Sequence, residues 1–156
     1  GRDGPDPIVI HLPTLPEQAA KIAELLQGAH TDGFAWGDMA VLCRDAKTRD
    51  LCASTLAKRG LPVQNRLGTG DYDPPVNSIK VMTMRVSKGL EFPVVALPGI
   101  EDLGRLEEID PEAEASVAAE VDTRRDAARV LYVAATRATQ RLMLASSTNK
   151  RAAPPP

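Results

Sequence analysis

The stretch Val81–Phe92, V-M-T-M-R-V-S-K-G-L-E-F, decides how the rest of the chain is read. It opens as a strand and breaks at Ser87-Lys88-Gly89 into a turn that carries a cation and, at Glu91, a carboxylate. A second apolar run, Val94-Val95-Ala96-Leu97, follows at once, and Pro98-Gly99 is expected to stop it. Just upstream, Ile79–Met84 reads as one strand, with Met82 and Met84 on a core-facing side.

Further upstream, Met39-Ala40-Val41-Leu42-Cys43 is apolar throughout, the pattern of a central strand covered on both faces. Arg44 stands at its C-terminal end. Asp45 caps a helix expected over Ala46–Arg59, which Gly60 closes. Before it, Ile8-Val9-Ile10 forms a short strand, and Thr14-Leu15-Pro16-Glu17 has the form of a capping box for a helix reaching about Ala29. The polar stretch Gln64–Asn77 reads as loop, and Glu101–Ile109 as acidic and irregular. Asp110-Pro111-Glu112 starts an Ala-rich helix that runs to about Thr136, and Arg141–Ala145 is the last strand. Helices alternating with buried strands imply an α/β fold with a mostly parallel sheet between helices, whose functional edge is at the C-terminal strand ends. Residues 1–7 read as a linker or the trimmed edge of a larger protein, 8–148 as one domain, and 149–156 as a disordered tail.

The 156 residues suffice for one core, which must be built from Val, Leu, Ile, Ala and Met because aromatics are scarce. A net charge of −2 gives no global basic field to attract nucleic acid, though a local basic strip is compatible with it. Cys43 and Cys52 lack metal-site spacing and are expected to be reduced and at least half buried, which suits a cytoplasmic protein. No membrane span and no signal peptide is visible. No metal site is expected.

Residue by residue, each candidate has an ordinary reading beside the functional one. Ser87-Lys88-Gly89-Leu90-Glu91 offers a Lys for phosphate or a DNA backbone and a Glu for a sugar hydroxyl, or it is a plain connection with a solvated ion pair. It is not a phosphate-cradling loop, because G-x-x-x-x-G-K-[ST] occurs nowhere in the chain. Arg137 ends a helix just before a strand, where it meets an anion or satisfies helix carbonyls. Arg44 is a sheet-edge cation or a partner for Asp45 or Asp50. His11 and His30 are assigned no role.

Three stretches together carry a resemblance. Val81–Gly99 resembles motif V of the UvrD/Rep/PcrA group of superfamily 1 DNA helicases. Arg129–Ala138, R-V-L-Y-V-A-A-T-R-A, resembles motif VI, and Asp38–Arg44 with Thr48-Arg49 resembles motif IV. The resemblance implies a three-layer RecA-like domain, the second (2A) of an ATP-driven DNA translocase of the kind used in DNA repair. In such proteins ATP and Mg²⁺ lie between two RecA-like domains, and the first carries the phosphate loop and the magnesium carboxylates. By that resemblance Arg44 and Arg137 are arginine fingers, catalytic and ATP-binding. Gly89 and Glu91 belong to the nucleotide side, with Glu91 near the ribose. Thr83, Arg85, Ser87 and Lys88 face single-stranded DNA.

Departures from the family pattern are Cys43 where a Tyr stacks near adenine and Arg85 where His is common. Asp126-Ala127-Ala128-Arg129 stands where Glu-Glu-Arg-Arg is usual, and only Gln64–Ser78 separates motifs IV and V where most relatives insert a 2B domain, which implies either a branch without 2B or its removal. With Walker A and B motifs absent, this chain by itself is expected not to hydrolyse ATP. Its expected partners are single-stranded DNA and an N-terminal RecA-like domain of the same protein, its direction of movement 3′ to 5′, and the fragment a monomer without tightly held cofactor. The alternative is a non-catalytic module that binds DNA or a protein. A G-x-x-x-x-G-K-[ST] loop upstream of Gly1 in the parent reading frame would discriminate the two.

Overall fold

Apolar runs too short for helices become six parallel strands. A computed structural model of the chain describes residues 7–64, 76–87, 89–100 and 137–147. Its elements are β1 (Pro7–His11), α1 (Leu15–Thr31), β2 (Met39–Cys43), α2 (Ala46–Lys58), β3 (Val63–Gln64), β4 (Ile79–Thr83), β5 (Phe92–Ile100) and β6 (Ala138–Ser146). A single 3-10 turn, Trp36–Asp38, leads into β2. The sheet order is β1-β6-β5-β2-β4-β3, and every neighbouring pair is parallel.

The continuous apolar run of β2 is explained by its place. It lies between β5 and β4, and all five of its residues are buried. Alternate residues feed two separate cores. Met39, Val41 and Cys43 join the side covered by the helices, together with Ile22 and Leu26 of α1 and Cys52 and Leu56 of α2. Ala40 and Leu42 join the opposite side, with Met82, Val95, Leu97, Leu142 and Leu144. There the described cover comes from Met84, Val86 and Leu90.

Both helices begin as their sequences direct. Glu17 N–H donates to Thr14 Oγ1 at 3.3 Å, and Thr14 N–H donates to Glu17 Oε1 at 3.2 Å, which completes the capping box. Thr48 N–H donates to the Asp45 carboxylate at 2.8 Å, and Gly60 closes α2 with φ 83°. Ala19, Ile22, Ala23, Leu26 and Ala29 form the buried stripe of α1.

Four strand boundaries differ from expectation. Strand β1 starts at Pro7 and β3 takes up Gln64, each at the margin of a stretch read as irregular. Pro98-Gly99 does not stop β5, which continues to Ile100. The ladder absorbs the two residues as a register shift between Leu97 and Ile100, where Gly99 takes φ 76°. The Gly99 N–H is not wasted, because it donates to Gln18 Oε1 at 2.9 Å. Fourth, β6 begins at Ala138, ahead of the expected Arg141, because Ala138 pairs with Phe92. The acidic segment 101–109, the helix expected over 110–136, the linker residues 1–6 and the tail 150–156 lie outside the described residues.

The 84–91 connection positions the site. Strand β4 is parallel to β2 on one side and β5 is parallel to it on the other. The chain leaving Thr83 must therefore pass across β2 and return to the opposite edge of the sheet. Such crossovers usually take about a dozen residues and a helix. Here tight turns begin the return, with Val86 N–H on Thr83 O at 3.1 Å and Leu90 N–H on Ser87 O at 2.9 Å.

Candidate functional site

The expected site residues fall at two edges of one sheet. At the C-terminal edge, Cys43 and Thr83 are register partners, and Met84 N–H donates to Cys43 O at 2.9 Å. Arg44 and the Thr83–Arg85 segment therefore leave adjacent strands side by side. Thr83 is half-buried, while Arg44 and Arg85 are exposed. At the N-terminal edge, Phe92 of β5 pairs with Ala138 of β6. The residues just before them, Glu91 and Arg137, are thereby neighbours at the start of two adjacent strands. The connection leaves β4 at the C-terminal edge, and the crossing carries Glu91 to the other one.

Ser87 lies within the crossing and is completely buried. Its hydroxyl donates to Met84 O at 2.7 Å, which fixes the first turn. Gly89 holds φ 79°, a left-handed conformation that side chains resist, and no atom lies within 4 Å of where a Cβ would stand. Glycine is needed there for its backbone and not for space. Lys88 lies outside the described residues. Glu91 is exposed and Arg137 half-buried. The Arg137 Nε is buried without a hydrogen-bond partner among the described residues. A buried donor left open is costly, so it marks where an acceptor would be favourable.

Around Arg44 the structure adds residues that the sequence did not nominate. A cleft of about 460 Å³ is lined by Arg44 with Asp45, Thr48, Gln18, Gly99 and Ser147, and by apolar Pro13, Leu15 and Pro98. Asp45 carries a carboxyl held below its ordinary value of 3.8, first by hydrogen bonds from the backbone and side chain of Thr48, then by the charges of Arg44 and Lys47. Asp45 was legible as a helix cap, and its place next to Arg44 was the signal that it belongs to the site. Gln18 gave no such signal. It is fully buried, donates to Leu12 O at 3.0 Å and accepts from Gly99, 81 positions away.

Cys43 is directed away from this edge. It is fully buried in the helix-side core, and its thiol is pushed up far beyond the ordinary range, first by a hydrogen bond with Cys52 and then by burial. Among the described residues no three His, Cys, Asp or Glu side chains gather as a metal site, and no helix is long and apolar enough to cross a membrane.

Comparison with known proteins places the chain in one class. Residues 65–149 match the family described as UvrD-like helicase C-terminal domain, a match covering more than half of the chain, and the chain belongs to that family. Among solved structures, the C-terminal domain of a possible DNA helicase from Lactobacillus plantarum WCFS1 superposes with a TM-score of 0.57. The likeness covers 92% of this chain and 74% of that one at 18% identity, so it speaks for the fold alone. No curated protein matches the chain. The RecA-like α/β fold expected from the motifs is therefore the fold observed, and its setting is a helicase.

Proposed function

We propose that this domain is the second motor domain of an ATP-dependent DNA helicase, and that it contributes arginines to ATP bound by a first RecA-like domain. The observation that carries the reading is the placement of Glu91 and Arg137 just ahead of the register partners Phe92 and Ala138, with a buried Arg137 Nε that has no partner among the described residues. A cation and a carboxylate so placed suit a phosphate and a sugar hydroxyl, respectively. ATP would supply the transferable phosphoryl group, and Arg137 would neutralise charge that builds on it, with Arg44 approaching from the far ends of the strands. Magnesium would be held by carboxylates of the first domain. Thr83 and Arg85, at the C-terminal edge, would meet the backbone of single-stranded DNA, and Ser87, Lys88 and Gly89 would join the two edges. Movement 3′ to 5′ is the direction in keeping with the family.

The test uses the full-length protein that contains this domain. Arg137→Ala is expected to lower DNA-stimulated ATP hydrolysis by a factor on the order of 10³ or more, while DNA binding persists. Unchanged hydrolysis would remove Arg137 from the mechanism. Arg85→Ala is expected to weaken single-stranded DNA binding and to flatten its dependence on salt, reducing the slope of log K against log[salt] by about one unit.

A further inference from the structure

Arg44 shares its edge with a fixed anion. The chain passes from Arg44 directly into Asp45, whose extended backbone, φ −148° and ψ 169°, makes it the N-cap of α2. One carboxylate oxygen accepts the Thr48 N–H at 2.8 Å. Arg44 and Asp45 both line the cleft, although consecutive residues leaving a strand more often diverge. The cap holds the carboxylate in place, whereas Arg44 is long and exposed. The opposing wall is equally fixed, because Gln18 ties Gly99 to Leu12.

A fixed carboxylate beside an exposed guanidinium competes for that guanidinium and repels an approaching polyanion. We propose that Asp45 is a positioning residue for Arg44, its capped carboxylate drawing the guanidinium to the cleft until a nucleoside triphosphate attracts it away. The inference rests on the reading of Arg44 as a nucleotide-facing residue. The cap and the charge are separable. Asn and Ser cap helices about as well as Asp but carry no charge.

In the full-length protein, Asp45→Asn and Asp45→Ser are assayed for ATP hydrolysis across ATP concentrations. KM for ATP is expected to fall roughly two- to fivefold in both, the size of one unit-charge interaction at a hydrated surface. kcat stays at the wild-type value, the thermal unfolding midpoint falls only slightly because the cap is kept, and the KM difference shrinks as salt is raised. If Arg44→Ala leaves kcat/KM unchanged, the reading of Arg44 fails and the inference falls with it. If Arg44→Ala lowers kcat/KM while both Asp45 variants keep the wild-type KM, the Asp45 inference alone is overturned. It is also overturned if Asp45→Asn lowers KM equally in an Arg44→Ala background, since the charge would then act on the nucleotide without Arg44.

Discussion

Cys43 shows how one residue's chemistry is set by where its strand lies. Its sequence context fitted a reduced thiol at least half buried, and in the fold it is fully buried beside Cys52 and held in its neutral form. Because the thiolate is the reactive species, neither cysteine should react with a thiol reagent such as DTNB in the folded protein, and both should react once urea unfolds it. Fast native reaction of either would contradict the packing. Asp45 gives a second residue-scale prediction. Removing its cap with Asp45→Ala should cost about 1 kcal/mol of stability, against a few tenths for Asp45→Asn. Its carboxyl is depressed in the folded state, so the charge contributes stability above the ordinary value of 3.8. That contribution disappears as pH falls through the lower folded value. The stability gap between wild type and Asp45→Asn should therefore be constant above about pH 5 and narrow at more acid pH. Denaturant melts at several pH values measure it.

At the scale of elements, the informative ones break their own local rules. Strand β5 contains Pro93, Pro98 and Gly99, yet it runs from Phe92 to Ile100 in the middle of the sheet. It persists because the ladder shifts register at those points and Gln18 takes the freed Gly99 N–H. Gln18→Ala should cost about 1–3 kcal/mol, since it leaves two backbone groups near the core unsatisfied. Gly99→Ala forces a side chain into φ 76° with its Cβ 3.4 Å from Leu15 Cδ2, and should cost about 1–2 kcal/mol. Equilibrium unfolding of both variants checks the pair; a neutral Gln18→Ala would mean that water replaces the amide. Strand β2 and helices α1 and α2, by contrast, were legible almost to their ends. Their caps and apolar periods are local signals.

Among the described residues the sheet packs two cores, and β2, β4, β5 and β6 each serve both. Leu26 of α1 is fully buried in the helix-side core. Leu26→Ala should destabilise the domain by about 2–5 kcal/mol, with the midpoint of urea unfolding moving and its slope unchanged. A changed slope would indicate that the two cores do not unfold together. By itself the sequence determined the helix caps, the buried central strand, the parallel α/β class and, through three motifs in order, the helicase family that the comparison bears out. The caps, the buried strand and the class are properties of composition, period and spacing, which act over a few residues, whereas the family came from the resemblance of its motifs. Tertiary structure alone decided that Val81–Phe92 spans the sheet from one edge to the other, setting Thr83 and Arg85 beside Arg44 and Glu91 beside Arg137. It also decided that Gln18 lines the cleft and joins Leu12 to Gly99. Those placements depend on which strands become neighbours, and strand order is fixed by packing between residues far apart in the chain.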